Sequence, residues 1–261
     1  MNVENFLVFD IETVPDVELG RRLYELSAEL SDEDVVRAME HVQEQKTGSR
    51  FLPLVQHRVI AIAGLCPQGD HLHIAPFCRA ESPEKELLET FYHYIDTHQP
   101  TLISWNGGAF DLPILHYRSL RHRVSSELYW ETGNRYRDYR YNNYQSRYHS
   151  RHLDLMDKLA SHQSRASAAL NQVAKLLGMP CKTEMDGSQV CEAWLAGELE
   201  SIRHYCELDV INTYVVFLYF ALISRNIRES VFEDRIRQLR ETLSASPQAH
   251  LQQFVEAWTP Q

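Results

Sequence analysis

The sequence lacks the features of secreted and membrane proteins. Its five cysteines are odd in number and form no C-x-x-C pair, which favours reduced thiols in a reducing compartment. No basic stretch followed by an apolar core begins the chain, so we expect no signal peptide. The longest apolar run, around residues 214–223, is about half of what a membrane span requires, so we expect a soluble, cytoplasmic protein. The cysteines are Cys66, Cys78, Cys181, Cys191 and Cys206.

Positive charge is also scarce. The 261 residues include 26 Lys and Arg against 36 Asp and Glu, a formal net charge of −10. This balance argues against a protein that holds nucleic acid through general basicity. It does not exclude nucleic acid, because an acidic metal site and acidic peripheral helices both lower the total. With 44% apolar residues, the chain can bury one large domain, or one domain and an appendage.

The stretch 6–13 places two carboxylates at the end of an apolar strand. Four apolar residues, 6–9, predict a strand that is buried on both faces. Asp10 and Glu12 follow, and they project from one face because strand side chains repeat every two residues. A divalent cation is the usual remedy for such paired charges, although a solvated acidic turn fits this stretch equally well.

The remaining pattern predicts a sheet interleaved with helices. Strands are expected at 58–65 and 71–77, as a hairpin, and at 101–105, whereas 84–97 has helical spacing. Residues 16–50 are acidic and predict a helical insertion on the surface. Further helices are expected at 155–159, 168–177, 198–223 and, as a C-terminal helical extension, within 226–261.

Asp111 follows a strand and two glycines, in the run Asn106-Gly107-Gly108-Ala109-Phe110-Asp111. Two glycines between a strand and a helix permit a tight turn and the close approach of a ligand. Pro113 fits the first turn of the helix that follows. A simple N-cap would also explain Asp111 at this position.

Residues 116–152 combine arginine with tyrosine. They include eight arginines, no lysine and three acids, a net charge of about +5 in a chain of −10. Guanidinium groups bind phosphates and tyrosines stack on unpaired bases, so we favour contact with nucleic acid over a plain polar loop. The residues expected to make it include Arg135, Arg137, Tyr139 and Arg140.

The helix predicted at 198–223 carries an aspartate in its apolar stripe. At 100° per residue, Asp209 lies among Ile202, Cys206 and Phe217 on one face. An aspartate in a packing face is costly unless it is paired or bound to a metal. Asp209 is therefore the residue that is hardest to explain by structure alone.

Together these motifs resemble the DEDD 3′–5′ exonucleases of the ribonuclease-H-like superfamily, over residues 1 to about 225. The nearest resemblance is to the proofreading exonuclease domain of family B DNA polymerases and its stand-alone bacterial relatives. Asp10-Ile11-Glu12-Thr13 resembles the first motif, 106–111 the second, and Tyr205-Cys206-Glu207-Leu208-Asp209 the third, Tyr-x-x-x-Asp. The residues after about 225 resemble no polymerase palm or fingers. The resemblance implies an α/β fold, with a mixed ribonuclease-H-like sheet flanked by helices.

The resemblance also implies two divalent metal ions, Mg²⁺ or Mn²⁺. Asp10, Glu12 and Asp209 would hold the metal that activates water, and Asp10 and Asp111 would hold the second. Tyr205 would orient the water, while Thr13, Asn106 and Phe110 would contact the nucleic acid.

The third motif leaves one ambiguity, because a sister subgroup uses a histidine at the position of His204. On a continuous helix, Tyr205 lies about 40° from Asp209 and His204 about 140° away. We therefore expect Tyr205 to face the site.

Three functions are compatible with the sequence. We favour a 3′–5′ exonuclease of single-stranded DNA that releases nucleoside 5′-monophosphates from a free 3′ end. An exoribonuclease with the same site is the alternative, because contacts to the 2′-hydroxyl cannot be predicted from sequence. The third is a non-catalytic module that binds nucleic acid and docks on a repair or replication partner through its C-terminal helices. For any of these functions, the apolar faces of the C-terminal helices predict packing on the domain, contact with a protein partner or self-association. A non-catalytic module is expected to lack at least one of the four motif carboxylates, whereas all four are present in this sequence.

Overall fold

One mixed sheet organises the protein. The computed structural model describes residues 4–69, 71–79, 81–180, 187 and 189–258, so Cys181 lies outside the described residues. The strand order is β3-β2-β1-β4-β5, with β1 antiparallel to β2 and parallel to β4, as β4 is to β5. This confirms the predicted α/β class with a mixed sheet. The strands are β1 (Phe6–Pro15), β2 (His57–Gln68), β3 (His71–Pro76), β4 (Thr101–Ser104) and β5 (His152–Asp154).

Helices flank the sheet on both faces. Those of the acidic insertion begin at side-chain caps, where Asp16 accepts from the Leu19 N–H and Ser31 from the Asp34 N–H. In the described ranges the helices are α1 (Val17–Leu23), α2 (Asp32–Thr47), α3 (Glu84–His98), α4 (Asp111–His122), α5 (Leu155–Leu159), α6 (Leu170–Leu176), α7 (Val190–Leu195), α8 (Leu199–Ile223), α9 (Glu229–Ala245) and α10 (Ala249–Ala257).

Strand β1 separates two apolar cores because its side chains alternate between the faces. Phe6 and Val8 pack on the side of α8, with Tyr214 and Phe217. Leu7, Phe9 and Ile11 pack on the other side, with α3 and α4. Asp10 and Glu12 continue the series of Phe6 and Val8, so the alternation directs both carboxylates towards α8.

Helix α8 is buried more completely than its sequence pattern predicts. Beyond the expected stripe, its buried residues include Val210, Ile211, Tyr214 and Val215, because helices α6, α7, α9 and α10 cover the sides that face away from the sheet. This helix is long and apolar enough to cross a membrane, which the run at 214–223 alone did not indicate. An 18-residue stretch of it has a mean hydropathy of 1.6, and 67% of that stretch is buried in the protein. Packing in the core accounts for this composition.

The C-terminal helices share the core of α8. Leu239 and Leu243 of α9, and Leu251 and Phe254 of α10, belong to the same buried cluster as Phe6 of β1. Their apolar faces are therefore packed on the domain itself. The domain boundary near residue 225 stays a prediction.

A buried arginine ties three helices together beside the sheet. The Arg118 guanidinium of α4 donates to Asp16, the cap of α1, at 2.5 Å, and to both oxygens of Glu84 at 2.7 and 2.6 Å. Glu84 begins α3 and also accepts the Val59 N–H of β2 at 2.7 Å. The side chains of all three charged residues are at most 7% exposed. This network fixes α4, and with it Asp111 at the first position of that helix.

Arg118→Ala is expected to lower the free energy of unfolding by about 3–5 kcal/mol, because it leaves the buried Asp16 without its guanidinium partner and the buried Glu84 with only His122 beside it. The matched control is Arg121→Ala on the same helix, whose ion pair with Glu18 is exposed and should contribute at most about 1 kcal/mol. Urea unfolding followed by circular dichroism measures both variants. Equal losses in the two would contradict the role given to Arg118.

Candidate active site

The first two carboxylates lie where β1 passes the small residues of β2. Asp10 pairs with Ala63 and Glu12 with Ala61, and a β-bulge follows between Glu12 and Thr13. Alanines opposite leave space for the carboxylates, and the bulge changes the direction of the strand beyond them. Glu12 is only 8% exposed.

The third carboxylate enters from the loop between β4 and α4. Because β1 and β4 are parallel, their carboxyl ends lie at one edge of the sheet, and the loop 106–110 begins there. Asp111 is the first helical residue after the N-cap Phe110, and it is 3% exposed. Its carboxylate accepts the backbone N–H of Ile11, which joins α4 to β1 between Asp10 and Glu12.

Asp154 at the end of β5 holds this loop in place. Its oxygens accept the Asn106 N–H at 3.0 Å and the Gly108 N–H at 2.9 Å, and its side chain also caps α5. Asn106, at φ 65°, takes the left-handed turn. A Cβ at Gly108 would lie 3.1 Å from an Asp154 oxygen, so this glycine permits the close approach of the loop. Asp154 thus positions the second motif, a role that its sequence context left open.

The last carboxylate and the tyrosine come from α8. Tyr205 and Asp209 lie one turn apart, and the tyrosine hydroxyl donates to the aspartate. Cys206, fully buried on the same face, donates its thiol to Asp10, with the sulfur 3.3 Å from the backbone oxygen and 3.6 Å from Oδ2. The sequence predicted Cys206 only as an apolar residue of the stripe. The structure places its thiol in the floor of the site.

Burial and repulsion between like charges raise the pKa values of these acids. Burial, then Asp111, Glu12 and Asp209, raises the pKa of Asp10 well above its ordinary value. Burial, then Asp209 and Asp111, does the same to the pKa of Glu12. Burial raises the pKa of Asp111 to about 7 and that of Asp209 to about 6. The four acids therefore form one electrostatic unit.

This donor set fits divalent cations. Ligand atoms of Asp10, Glu12 and Cys206 lie within 4.8 Å of one another, and Asp111 and Asp209 flank this group. Among the described residues, no Lys, Arg or His forms an ion pair with any of the four acids. Hard cations such as Mg²⁺ and Mn²⁺ take carboxylate oxygens, whereas a neutral thiol that donates to Asp10 is not a ligand for them. The acids present are thus able to hold the expected metal ions.

His204 points away from these carboxylates. Its ring stacks on His250 of α10 with the centroids 3.8 Å apart, and His250 contacts the fully buried Glu207 at 2.7 Å. The C-terminal helix α10 therefore packs on the outer side of the third motif. Tyr205 faces the acids and His204 does not, as the helical geometry predicts.

Aromatic side chains border the site at the second motif. The Phe110 ring, 6.1 Å from that of Phe51 and 5.8 Å from that of His57, completes a three-ring cluster. His57 also contacts the Thr13 hydroxyl at 3.0 Å, so the cluster joins the first motif to the second. Phe51 is 58% exposed, which leaves its ring open to a ligand. No sequence pattern indicated Phe51 or His57.

One prediction for residues 116–152, the Arg/Tyr segment, is contradicted by the burial of Tyr139. Tyr139 is 3% exposed, its hydroxyl donates to Gln99 at 3.1 Å, and the Arg151 guanidinium covers its ring at 4.0 Å. A stacking role for Tyr139 is therefore wrong, because the ring belongs to the core. Gln99 precedes β4, whereas the acids lie where β4 ends. This part of the segment therefore lies near the amino end of β4, away from the acids at its carboxyl end. Arg135, Arg137 and Arg140 are exposed there, and Arg135 pairs with Glu127.

A mixed sheet that gathers acids from β1, α4 and α8 is similar to the ribonuclease-H-like fold that the motifs predict. The fold is similar to that of the family B DNA polymerase from the hyperthermophilic archaeon Pyrobaculum calidifontis, with a TM-score of 0.52 at 15% sequence identity. That similarity covers 99% of this chain and 28% of the polymerase. It shows the expected fold.

The chain belongs to a family described as predicted 3′–5′ exonucleases related to the exonuclease domain of PolB, whose model matches residues 49–258. The match includes Asp111, Tyr205 and Asp209, and it extends through α9 and α10. The first motif, with Asp10 and Glu12, lies before it. No curated protein sequence matches the chain.

Tyr205→Phe is expected to lower kcat about 10- to 100-fold, because the hydroxyl beside Asp209 is lost while the ring remains. His204→Ala should change kcat less than about threefold, since His204 packs on α10. Steady-state cleavage of a labelled oligonucleotide measures both, with circular dichroism to confirm folding. A large loss in the histidine variant alone would reverse the assignment.

Without metal, the acid cluster is expected to contribute less stability as pH rises. The folded acids bind protons more tightly than unfolded ones, whose pKa is about 4, so this cluster favours folding at low pH and its contribution is lost as pH rises from about 4 through 7. Mn²⁺ binds the ionised acids and should raise Tm more at pH 8 than at pH 5.5. Thermal melts with EDTA or Mn²⁺ measure this.

Asp209→Asn is the matched control for these melts, because it removes one charge of the cluster. It should flatten the fall in stability with pH in EDTA. An equal slope in the variant, or an equal Mn²⁺ effect at both pH values, would contradict the shared electrostatic unit.

Proposed function

We propose that the protein hydrolyses single-stranded DNA from its 3′ end in a reaction that depends on two divalent metal ions, releasing nucleoside 5′-monophosphates. The observation that carries the proposal is the cluster of four neighbouring acids from three elements, of which Glu12 and Asp111 are buried and Asp10 and Asp209 half-buried. Among the described residues no cationic side chain is paired to them. Keeping such a cluster ionised costs stability, and divalent cations offset that cost. Asp10, Glu12 and Asp209 would hold one ion, and Asp10 and Asp111 the other.

The ions would supply a nucleophilic water near neutral pH and stabilise the leaving 3′ oxygen. The chain's own contribution is positional. The Tyr205 hydroxyl, directed towards Asp209, orients the water that attacks the phosphorus. Burial raises the pKa of Tyr205 far above its ordinary value, so the hydroxyl remains a hydrogen-bond donor throughout the reaction.

The terminal nucleotide would lie against the aromatic border of the site. Phe110 stands immediately before Asp111 and contacts the exposed ring of Phe51, so a base beside the acids has a surface on which to stack. Thr13, which follows Glu12 on β1, and Asn106, in the loop before Asp111, are the polar residues that we assign to the terminal sugar and phosphate.

Cleavage of 3′- and 5′-labelled DNA and RNA oligonucleotides, with Mg²⁺, Mn²⁺ or EDTA, tests the proposal. We expect 5′-labelled strands to shorten step by step, 3′-labelled strands to release a labelled mononucleotide, and EDTA to stop both. Asp209→Asn should lose activity about 100-fold or more, since it removes a metal ligand.

The absence of any metal-dependent shortening from the 3′ end would overturn the proposal. The ratio of the rates on DNA and RNA decides between the favoured substrate and the exoribonuclease alternative. Binding without cleavage, at an affinity that Asp209→Asn leaves unchanged, would instead support a non-catalytic module.

A further inference from the structure

A polar cleft begins at the loop that carries the second motif. It has a volume of 440 Å³, within the roughly 300–1,000 Å³ of ligand pockets. One wall is the loop of Asn106 and Gly108, whose next helical residue is Asp111. The other walls are Arg147 and His149, strand β5, helix α5 and the segment 160–167. The site and the cleft therefore share a wall.

Groups that bind nucleic acid line this cleft or stand at its rim. Arg147, Lys158, His149 and His162 line it, and Arg147 and Lys158 are exposed. Tyr148 is 81% exposed at the rim, with its ring 6.1 Å from the ring of His162 and below the Arg147 guanidinium. An open aromatic ring beside cationic side chains is the combination that holds unpaired bases and phosphates.

The acids of the cleft are already engaged. Asp154 accepts three backbone N–H groups, and Asp157 accepts from Arg147 at 2.8 Å and contacts His162 at 2.7 Å. Lys158 forms no ion pair with a described residue, so its charge is open to a ligand. Ser161 and His162, at φ 52° and 62°, both adopt the left-handed conformation, and this backbone directs the histidine to Asp157 and the cleft.

We propose that this cleft binds the single strand on the 5′ side of the nucleotide at the carboxylates, with Tyr148 stacking on a base and Lys158 contacting a phosphate. The inference rests on the proposed 3′–5′ exonuclease function. When the 3′-terminal nucleotide lies at the carboxylates, the rest of the strand extends from the site only in the 5′ direction. The cleft offers that path from the loop before Asp111. The Arg/Tyr segment would thus meet nucleic acid at residues 147–148 rather than at 135–140.

Binding of a fluorescent ten-residue oligo(dT), by anisotropy with Mg²⁺ in an Asp209→Asn background, tests the cleft. Tyr148→Ala should weaken binding about fivefold or more, which is the lower range for loss of one stacked base. The matched control is Tyr141→Ala, which removes a ring of the same segment that is 68% exposed and does not line the cleft. Equal affinities of the two variants would overturn the proposal.

The salt dependence of binding tests the phosphate contact. Lys158→Ala should reduce the slope of log K against log salt by about 0.7, the value for one phosphate of a single strand. Lys175→Ala, on the exposed side of α6, should leave the slope unchanged. Equal slopes in the two variants would remove Lys158 from the path.

A length series separates this inference from the proposed function. If the wild type cleaves, Tyr148→Ala should lower the ratio of kcat/KM for the decamer over that for a dinucleotide, which is too short to extend along the cleft. An unchanged ratio would refute the cleft while the exonuclease stands. If the wild type cleaves nothing, the proposed function fails, and the anisotropy measurements still decide whether the cleft binds the strand.

Discussion

Repulsion among four neighbouring carboxylates is the constraint around which the site is built. Glu12 and Asp111 are more than nine-tenths buried, whereas Asp10 and Asp209 are half-buried. Burial and the neighbouring negative charges raise the pKa values of Asp10 and Glu12. A cluster of this kind would relax by turning its side chains to solvent if the supporting elements allowed it. Here each acid is carried by an element that is anchored elsewhere, so the charges remain together and present oxygen atoms to cations.

The anchors differ in kind. Strand β1 is held by apolar cores on both faces, and α8 is surrounded by packed helices. Helix α4 packs on the second core through Leu112, Ile114 and Leu115. Polar contacts add to this packing, with Arg118 bound to Asp16 and Glu84 and Asp154 holding the loop before the helix. The second motif is therefore supported by buried charge, which gives direction as well as energy. Removal of a polar anchor should misplace Asp111 without disturbing the other acids.

The sequence was sufficient for the fold class, for most of the strands and helices, and for naming the four acids as candidates, because each leaves a local pattern. Alternation in β1 predicts the face of Asp10 and Glu12, and helical spacing predicts which of Tyr205 and His204 faces Asp209. The missed residues act through contacts between distant segments: Phe51 and His57 meet Phe110 only after the insertion has folded. The buried stripe predicted for α8 was too narrow, because helices before and after it in sequence cover its other faces. The alternation of arginine and tyrosine does not indicate which of the rings are buried. Tyr139 was therefore predicted to contact nucleic acid, whereas its ring belongs to the core.

The pairing of β1 with elements far along the chain has a consequence for the order of folding. Asp10 and Asp209 belong to segments separated by most of the sequence, and α8 reaches β1 only after β4, β5 and the helices between have been synthesised. Contacts between such distant segments form late, because the intervening chain must first be ordered. During synthesis the acids of β1 therefore remain solvated and apart from Asp209. A nascent chain would therefore lack the complete cluster of acids until α8 has emerged from the ribosome.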